Sequence, residues 1–210
     1  ILERRIRMKS FITGIDTNVG KTVVSAIVAR ALKMDYWKPI QCGDLKNSDT
    51  MNVKKMTGGL FHYFPERYRL KEPASPHLSA KLEKVQIKLN DFQLPKSDNL
   101  LIEGAGGLMV PINEEGDMIV DIARKFDAKV ILVSKNYLGS INHTLMSCQL
   151  LNSYGLETIG IIINGDANEE TEKIITEISG VPILGHVETT KRLTKKFIDQ
   201  QAEKFENILG

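Results

Sequence analysis

Cysteine is scarce in this sequence. Cys42 and Cys148 are the only two among 210 residues, they lie far apart, and neither belongs to a CxxC pair. That excludes a disulfide framework and makes a reducing cytoplasm the expected compartment. The four histidines, His62, His77, His143 and His186, lack the close spacing of a zinc site. Long hydrophobic runs are missing too. The longest, such as residues 130–133 and 161–163, fall far short of the ~20 residues of a membrane span. Charge of one sign is also absent: Lys plus Arg is 28, Asp plus Glu is 26, and the net charge is +2. The excess sits in residues 1–7, which hold three arginines and one glutamate. No basic footprint covers the rest, so neither a nucleic-acid nor a membrane partner is expected. Residues 1–9 are basic with no apolar stretch behind them, unlike a signal peptide. Met8 is read as the start of the native chain, with residues 1–7 as an extension outside the fold.

What is present is the composition of a globular chain with a core: 42% hydrophobic and 26% charged residues. At roughly 150 residues per domain, residues 8–210 are expected to form one domain. Short apolar runs alternate with helical periods. Strands are predicted at 9–13, 36–40, 100–102, 130–133, 158–163 and 182–185. Helices are predicted at 21–34, 47–58, 78–89, 119–126, 142–154 and 169–179, with an amphipathic helical tail over 190–209. Residues 60–76, rich in aromatics and proline, read as an irregular excursion. Strands separated by long helices imply right-handed crossovers. The expected fold is therefore α/β, a mostly parallel central sheet with helices on both faces. Ligands of such sheets bind beyond the C-terminal strand ends.

Three motifs fall at that edge. Gly14-Ile15-Asp16-Thr17-Asn18-Val19-Gly20-Lys21-Thr22 follows a strand and opens a helix, the setting a phosphate-binding loop needs. Backbone N–H groups there converge on an anion. Lys21 can reach the β- and γ-phosphates, and the Thr22 hydroxyl can bind Mg²⁺. Gly14 and Gly20 have five residues between them where the usual loop has four. The second motif is Glu103-Gly104-Ala105-Gly106-Gly107, at the end of a buried strand. It offers a carboxylate for Mg²⁺, then glycines that let a ligand approach the backbone. The third is Lys38-Pro39-Ile40-Gln41-Cys42-Gly43 with Asn47-Ser48-Asp49. It can add a second ammonium and a second carboxylate beside the γ-phosphate, although alone each reads as a solvated lysine or a helix cap. His77, His143 and Met146 read as packing residues rather than ligands.

The loop with its five-residue gap resembles that of the dethiobiotin synthetases, T-G-T-D-T-x-V-G-K-T. Lys38-Pro39 with Gly43, Asn47-Ser48-Asp49, Glu72-Pro73-Ala74-Ser75-Pro76-His77, Glu103 to Gly107 and Leu138-Gly139-Ser140-Ile141-Asn142-His143 are similar to the family's motifs in the same order. The resemblance runs from about residue 10 to 185. It implies a P-loop NTPase-like fold and a homodimeric, cytoplasmic, Mg²⁺- and ATP-dependent ligase of biotin synthesis. Such an enzyme joins CO₂ to 7,8-diaminononanoate and releases dethiobiotin, ADP and phosphate. The resemblance further implies Lys21, Lys38 and Thr17 as catalytic residues, and Thr17, Cys42, Leu138, Gly139 and Asn142 at the substrate, the last three across the dimer interface. At the nucleotide it implies Asn18, Val19, Gly20, Lys21, Thr22, Val23, Asp49, Glu103, Gly104, Ala105, Gly106 and Asn164, with Asn164 reading adenine. The metal positions are Thr22, Asp49 and Glu103. The sequence departs from the family pattern at Cys42, usually Ser, and at Asn18, often Glu. At residues 186–190 the usual Pro-Trp-Leu-like stretch is missing.

A rival from another class is a partitioning or division-site ATPase, a switch of the same superfamily. Such proteins usually carry a second lysine early in the loop, and residues 15–19 hold none. The tail is also too balanced in charge for a membrane anchor. An amidoligase would need a glutaminase domain that 210 residues cannot hold. A metallochaperone GTPase would need a Cys/His cluster.

Overall fold

The computed structural model describes residues 8–209. The chain starts with β1 (Met8–Gly14), α1 (Lys21–Leu32), β2 (Asp35–Trp37), β3 (Ile40–Cys42) and α2 (Asp49–Met56). It continues through β4 (Tyr63–Phe64), β5 (Tyr68–Leu70), α3 (Pro76–Leu82) and β6 (Asn99–Gly107). The second half alternates regularly: α4 (Ile119–Lys125), β7 (Lys129–Ser134), α5 (Ser140–Ser153), β8 (Thr158–Asn164), α6 (Glu169–Ser179), β9 (Ile183–Val187) and α7 (Lys195–Leu209). Seven strands form one sheet in the order β4-β2-β6-β1-β7-β8-β9, and every pairing in it is parallel. This is the α/β architecture expected from the alternating pattern.

Alternation along each strand feeds three core clusters on the two faces of the sheet. Ile12, Leu101, Ile131 and Ile162 face α1, α2 and α7. Phe11, Leu100, Ile102 and Val130 face α4 and part of α5. Leu132, Ile161 and Ile163 pack on α5 and α6 through Cys148 and Ile175. The tail is helical from Lys195, and Ile198, Ala202 and Phe205 join the α1 core. Arg30 of α1 donates to Asp199 at 2.7 Å, which ties the two helices at their rim. No helix among the described residues is long and apolar enough to cross a membrane.

Four local expectations are corrected. The strand predicted at 36–40 is two strands, because Pro39 has no N–H to donate. After it the chain leaves the main sheet, and β3 pairs with β5 in a separate two-stranded sheet. The excursion at 60–76 therefore contains β4 and β5. The helix predicted at 78–89 is α3, which begins at Pro76 and ends at Leu82. Lys84 takes a left-handed conformation (φ 55°), and the chain turns so that Ile87 and Phe92 enter the core. Glu103 does not end its strand, since β6 runs on to Gly107. Residues 1–7 lie outside the described residues.

Candidate active site

β1 and β6 lie side by side, with Ile12 opposite Glu103. The Glu103 carboxylate thereby lies within 3.0 Å of the Thr22 hydroxyl, in the first turn after the loop that follows β1. α1 starts at Lys21 behind Gly20, which takes φ 90° and carries no side chain to cap the helix. A Cβ on Gly20 would stand 1.9 Å from Asn164 Nδ2. Asn164, the last residue of β8, donates to the Val19 carbonyl at 2.9 Å and so pins the loop from the other side. Gly20→Ala is thus doubly blocked, by conformation and by contact. ADP affinity measured by calorimetry should fall about ten- to a hundredfold. Gly59→Ala, also at positive φ but in open space, should leave ADP affinity unchanged. Parent-like binding by Gly20→Ala would show that the loop does not need this geometry.

Lys21 is buried and donates to the carbonyls of Asp16 (2.9 Å) and Thr17 (3.0 Å), folding the loop around its own ammonium. Burial pushes its pKa down to about 8, against the pull of Glu103. Thr22, one residue on, donates to Asp49 Oδ1 at 2.9 Å and is 3.0 Å from Glu103 Oε1. Lys38 leaves β2 into the same cluster. Its ammonium bonds Asp49 Oδ2 and lies 3.1 Å from Glu103 Oε1. Burial works against its charge, but Glu103 and Asp49 outweigh it and raise the Lys38 pKa. Burial likewise opposes charge on Asp49, and Lys38 overrides it and holds that carboxyl below its usual range. Glu103 is wholly buried. Its second oxygen accepts from the Tyr36 hydroxyl at 2.9 Å. Burial, then Glu103, pushes the Tyr36 phenol well above its usual pKa.

The first turn of α2 holds Asp49 in place. Ser48 caps the helix, its hydroxyl accepting from the Met51 N–H, and the Asp49 N–H donates to Gln41 Oε1 at 3.1 Å. Ser48 also donates to Glu66, which pairs with Arg69 at 2.8 Å. Arg69 reaches the Leu45 carbonyl, bracing the segment between β3 and α2.

These groups open on a cavity of about 780 Å³. Of the residues expected at the site, Thr17, Asn18, Gly20, Lys21, Thr22, Lys38, Cys42, Asp49, Glu103, Ala105 and Gly106 line it. Ala74 and Ser75 form part of the far wall. Cys42 is half-buried, and burial raises the pKa of its thiol. Val19 and Val23 turn their side chains into the α1 core. Gly104 faces Phe11 and Ile119 across the sheet. Only the backbones of these three could serve a ligand. Leu138, Gly139, Asn142 and Asn164 do not line the cavity: Leu138 is fully exposed, Asn142 is exposed at the start of α5, and Asn164 lies behind the loop with its amide N–H on the Val19 carbonyl. The packing reading fails for Met146, which is 62% exposed, and for His143, which is exposed and meets the Tyr137 hydroxyl at 2.7 Å. His77 pairs with Ser75 at 3.0 Å.

Thr22, Asp49 and Glu103 present only hard oxygen atoms on one side of the loop. Among the described residues no group of three His, Cys, Asp or Glu side chains could hold a metal alone. Two carboxylates and a hydroxyl suit Mg²⁺, which keeps phosphate oxygens and water as its other ligands. Tyr36, Gln41 and Glu66 went unassigned by motif. A tyrosine in an apolar strand reads as core, and nothing local marks Gln41 or Glu66 as supports for Asp49.

A family model described as an AAA domain matches residues 9–196. The ATP-dependent dethiobiotin synthetase of Christiangramia forsetii is 47% identical over 201 residues, covering 95% of this chain and 96% of that protein. The enzyme of the same name from Cytophaga hutchinsonii is 45% identical over 203 residues, covering 95% of this chain and 98% of that protein. Among solved structures, the Pyrococcus furiosus cell division ATPase MinD superposes with a TM-score of 0.58 at 16% identity, over 95% of this chain and 99% of that one. A ParA family ATPase from Chlorobium tepidum gives 0.53 at 15% identity, over 93% and 98%. These structural likenesses show the α/β fold alone.

Proposed function

The chain belongs to the dethiobiotin synthetase family, a family of ligase-type enzymes, and from that membership we propose how its own residues carry the reaction. One amine of 7,8-diaminononanoate captures CO₂ as a carbamate. A carbamate oxygen attacks the γ-phosphorus of ATP, ADP leaves, and a carbamic–phosphoric anhydride forms. The second amine then attacks the anhydride carbonyl, closing the cyclic urea and expelling phosphate. Negative charge gathers between carbamate and γ-phosphate, so buried cations aimed at that gap stabilise the transition state. Lys21 and Lys38 are those cations in this reading. It is carried by one observation: two buried ammonium groups converge on the mouth of a single phosphate loop.

Thr17 and Cys42 take the substrate side, with the thiol supplying shape and a weak contact. The loop from Asn18 to Val23 cradles the phosphates, Gly104 to Gly106 give the backbone close approach, and Asn164, whose amide N–H is held by the Val19 carbonyl, keeps its amide oxygen for the adenine. Thr22, Asp49 and Glu103 would hold Mg²⁺, which when bound would offset phosphate charge. Residues 138–142 meet the diamine of a second copy in a homodimer. The fully exposed Leu138, beside the exposed Ile141 and Met146, supports this placement. Sedimentation of an active monomer would contradict it.

ATP turnover tests the reading against a switch. ADP release should depend on both the diamine and bicarbonate, and should not respond to DNA or lipid vesicles. Turnover raised by DNA or vesicles and indifferent to the diamine would favour the partitioning-type ATPase.

A further inference from the structure

We propose that Tyr36 is a positioning residue for the metal-side carboxylate: its hydroxyl holds one oxygen of Glu103 and leaves a single oxygen facing the phosphate loop. The proposal rests on the assignment of Glu103 to the Mg²⁺ position. Tyr36 lies opposite Leu101 in the β2–β6 pairing. Side chains two apart on a strand share a face, so Glu103 stands on the same face as Tyr36, one step further along β6. Both residues are wholly buried. The hydroxyl donates to Oε2 at 2.9 Å, while Oε1 accepts from Lys38 at 3.1 Å and lies 3.0 Å from the Thr22 hydroxyl. The two oxygens of one carboxylate are thus divided between a fixed structural partner and the site.

The last torsion of a glutamate is broad, so an unheld carboxylate would rotate and could offer either oxygen or both. The phenol removes that freedom, and its own ring is fixed in turn. Tyr63 of β4 stands in register with it, ring centroids 6.5 Å apart, and shares a hydrogen bond with Thr57. A one-oxygen Glu103 matches the tight octahedron of Mg²⁺. It withholds the bidentate mode that the larger, more permissive Ca²⁺ uses. Tyr36 in this account contributes to the choice of metal without touching it.

The test is ADP binding by calorimetry at stepped Mg²⁺, and separately Ca²⁺, for the parent, Tyr36→Phe, Tyr63→Phe and Glu103→Gln. Tyr36→Phe keeps the ring and removes only the hydroxyl. The Mg²⁺ needed for half-maximal tightening should rise about tenfold, the size of one hydrogen bond to a charged group. Ca²⁺ should close part of its gap to Mg²⁺, and ADP affinity without metal should not change. Tyr63→Phe, which takes a hydroxyl from the same aromatic pair but not from Glu103, should leave the metal curves in place. Loss of packing alone would lower the melting temperature of both tyrosine variants without shifting either curve. A Tyr36→Phe curve superimposed on the parent's, with Glu103→Gln shifted, overturns the role of Tyr36 and leaves the metal assignment standing. Unshifted curves for both overturn the assignment and the proposal together.

Discussion

Lys21→Met is expected to lower dethiobiotin formation about a thousandfold, on the order of 4 kcal/mol of transition-state stabilisation, while leaving the protein folded. The two effects separate because the lysine stem and its charge do different work. The stem packs in the loop, and methionine preserves most of it. The ammonium is buried, and burial drives its pKa to about 8 in the nucleotide-free protein. The sign of the pH dependence follows. Between pH ~8 and the ordinary lysine value near 10.4, the unfolded chain binds the proton that the folded chain has lost. Stability of the nucleotide-free protein contributed by this group therefore rises with pH across that window. Phosphate binding needs the protonated form, so nucleotide affinity moves the other way and falls above pH ~8, by up to about tenfold per pH unit. Lys21→Met should lose that slope along with turnover. Turnover within tenfold of the parent would remove Lys21 from the transition state.

Lys38→Met should be as damaging to turnover and, unlike Lys21→Met, should also destabilise the fold. Lys38 sits between Asp49 and the fully buried Glu103. Removing one member of a buried ion cluster strands the other charge, at a cost of about 3–5 kcal/mol. The Tyr36 hydroxyl still donates to Glu103, the Thr22 hydroxyl lies within reach of it, and Asp49 is part-exposed, so the lower end is expected. The double variant Lys38→Met with Glu103→Gln removes the stranded charge. It should regain part of the lost stability in urea unfolding and none of the activity, a coupling that a double-mutant cycle reads directly. A single variant as stable as the parent would mean that Lys38 does not neutralise Glu103.

What the sequence makes legible at this site is what is local or periodic. The loop from Gly14 to Thr22 announces itself because strand, glycine, lysine and helix are contiguous. The layered α/β fold follows from alternating apolar runs. Lys38 and Asp49 are weak alone, and gain meaning only because β2, β6 and β1 are neighbours in the sheet. The failures are long-range or backbone-specific. Pro39 splits a run that reads as one strand. Glu103 reads as a strand end because glycines follow it, yet the parallel ladder carries β6 through them. The helix after Ser75 stops at Leu82 because Ile87 and Phe92 are claimed by the core, a tertiary demand that outweighs helical period. Tyr36 meets a partner 67 residues away, Glu103, so no motif contains it, while Gln41 lies inside the Lys38–Gly43 motif but shows its bond to the Asp49 N–H only in the fold. Leu138, Gly139, Ile141 and Asn142 are exposed around the start of α5, with Ser140 buried between them.

Doubly labelled bicarbonate, carrying ¹³C and ¹⁸O, most directly tests whether this protein closes a urea through a phosphorylated carbamate. The protein is mixed with 7,8-diaminononanoate, ATP and Mg²⁺ in a single turnover, and mass spectrometry reads both products. The predicted result is dethiobiotin carrying ¹³C at its urea carbon, with one ¹⁸O delivered to inorganic phosphate from the carbamate oxygen that attacked ATP. Labelled dethiobiotin with unlabelled phosphate would contradict the anhydride, and no labelled dethiobiotin at all would contradict the activity itself.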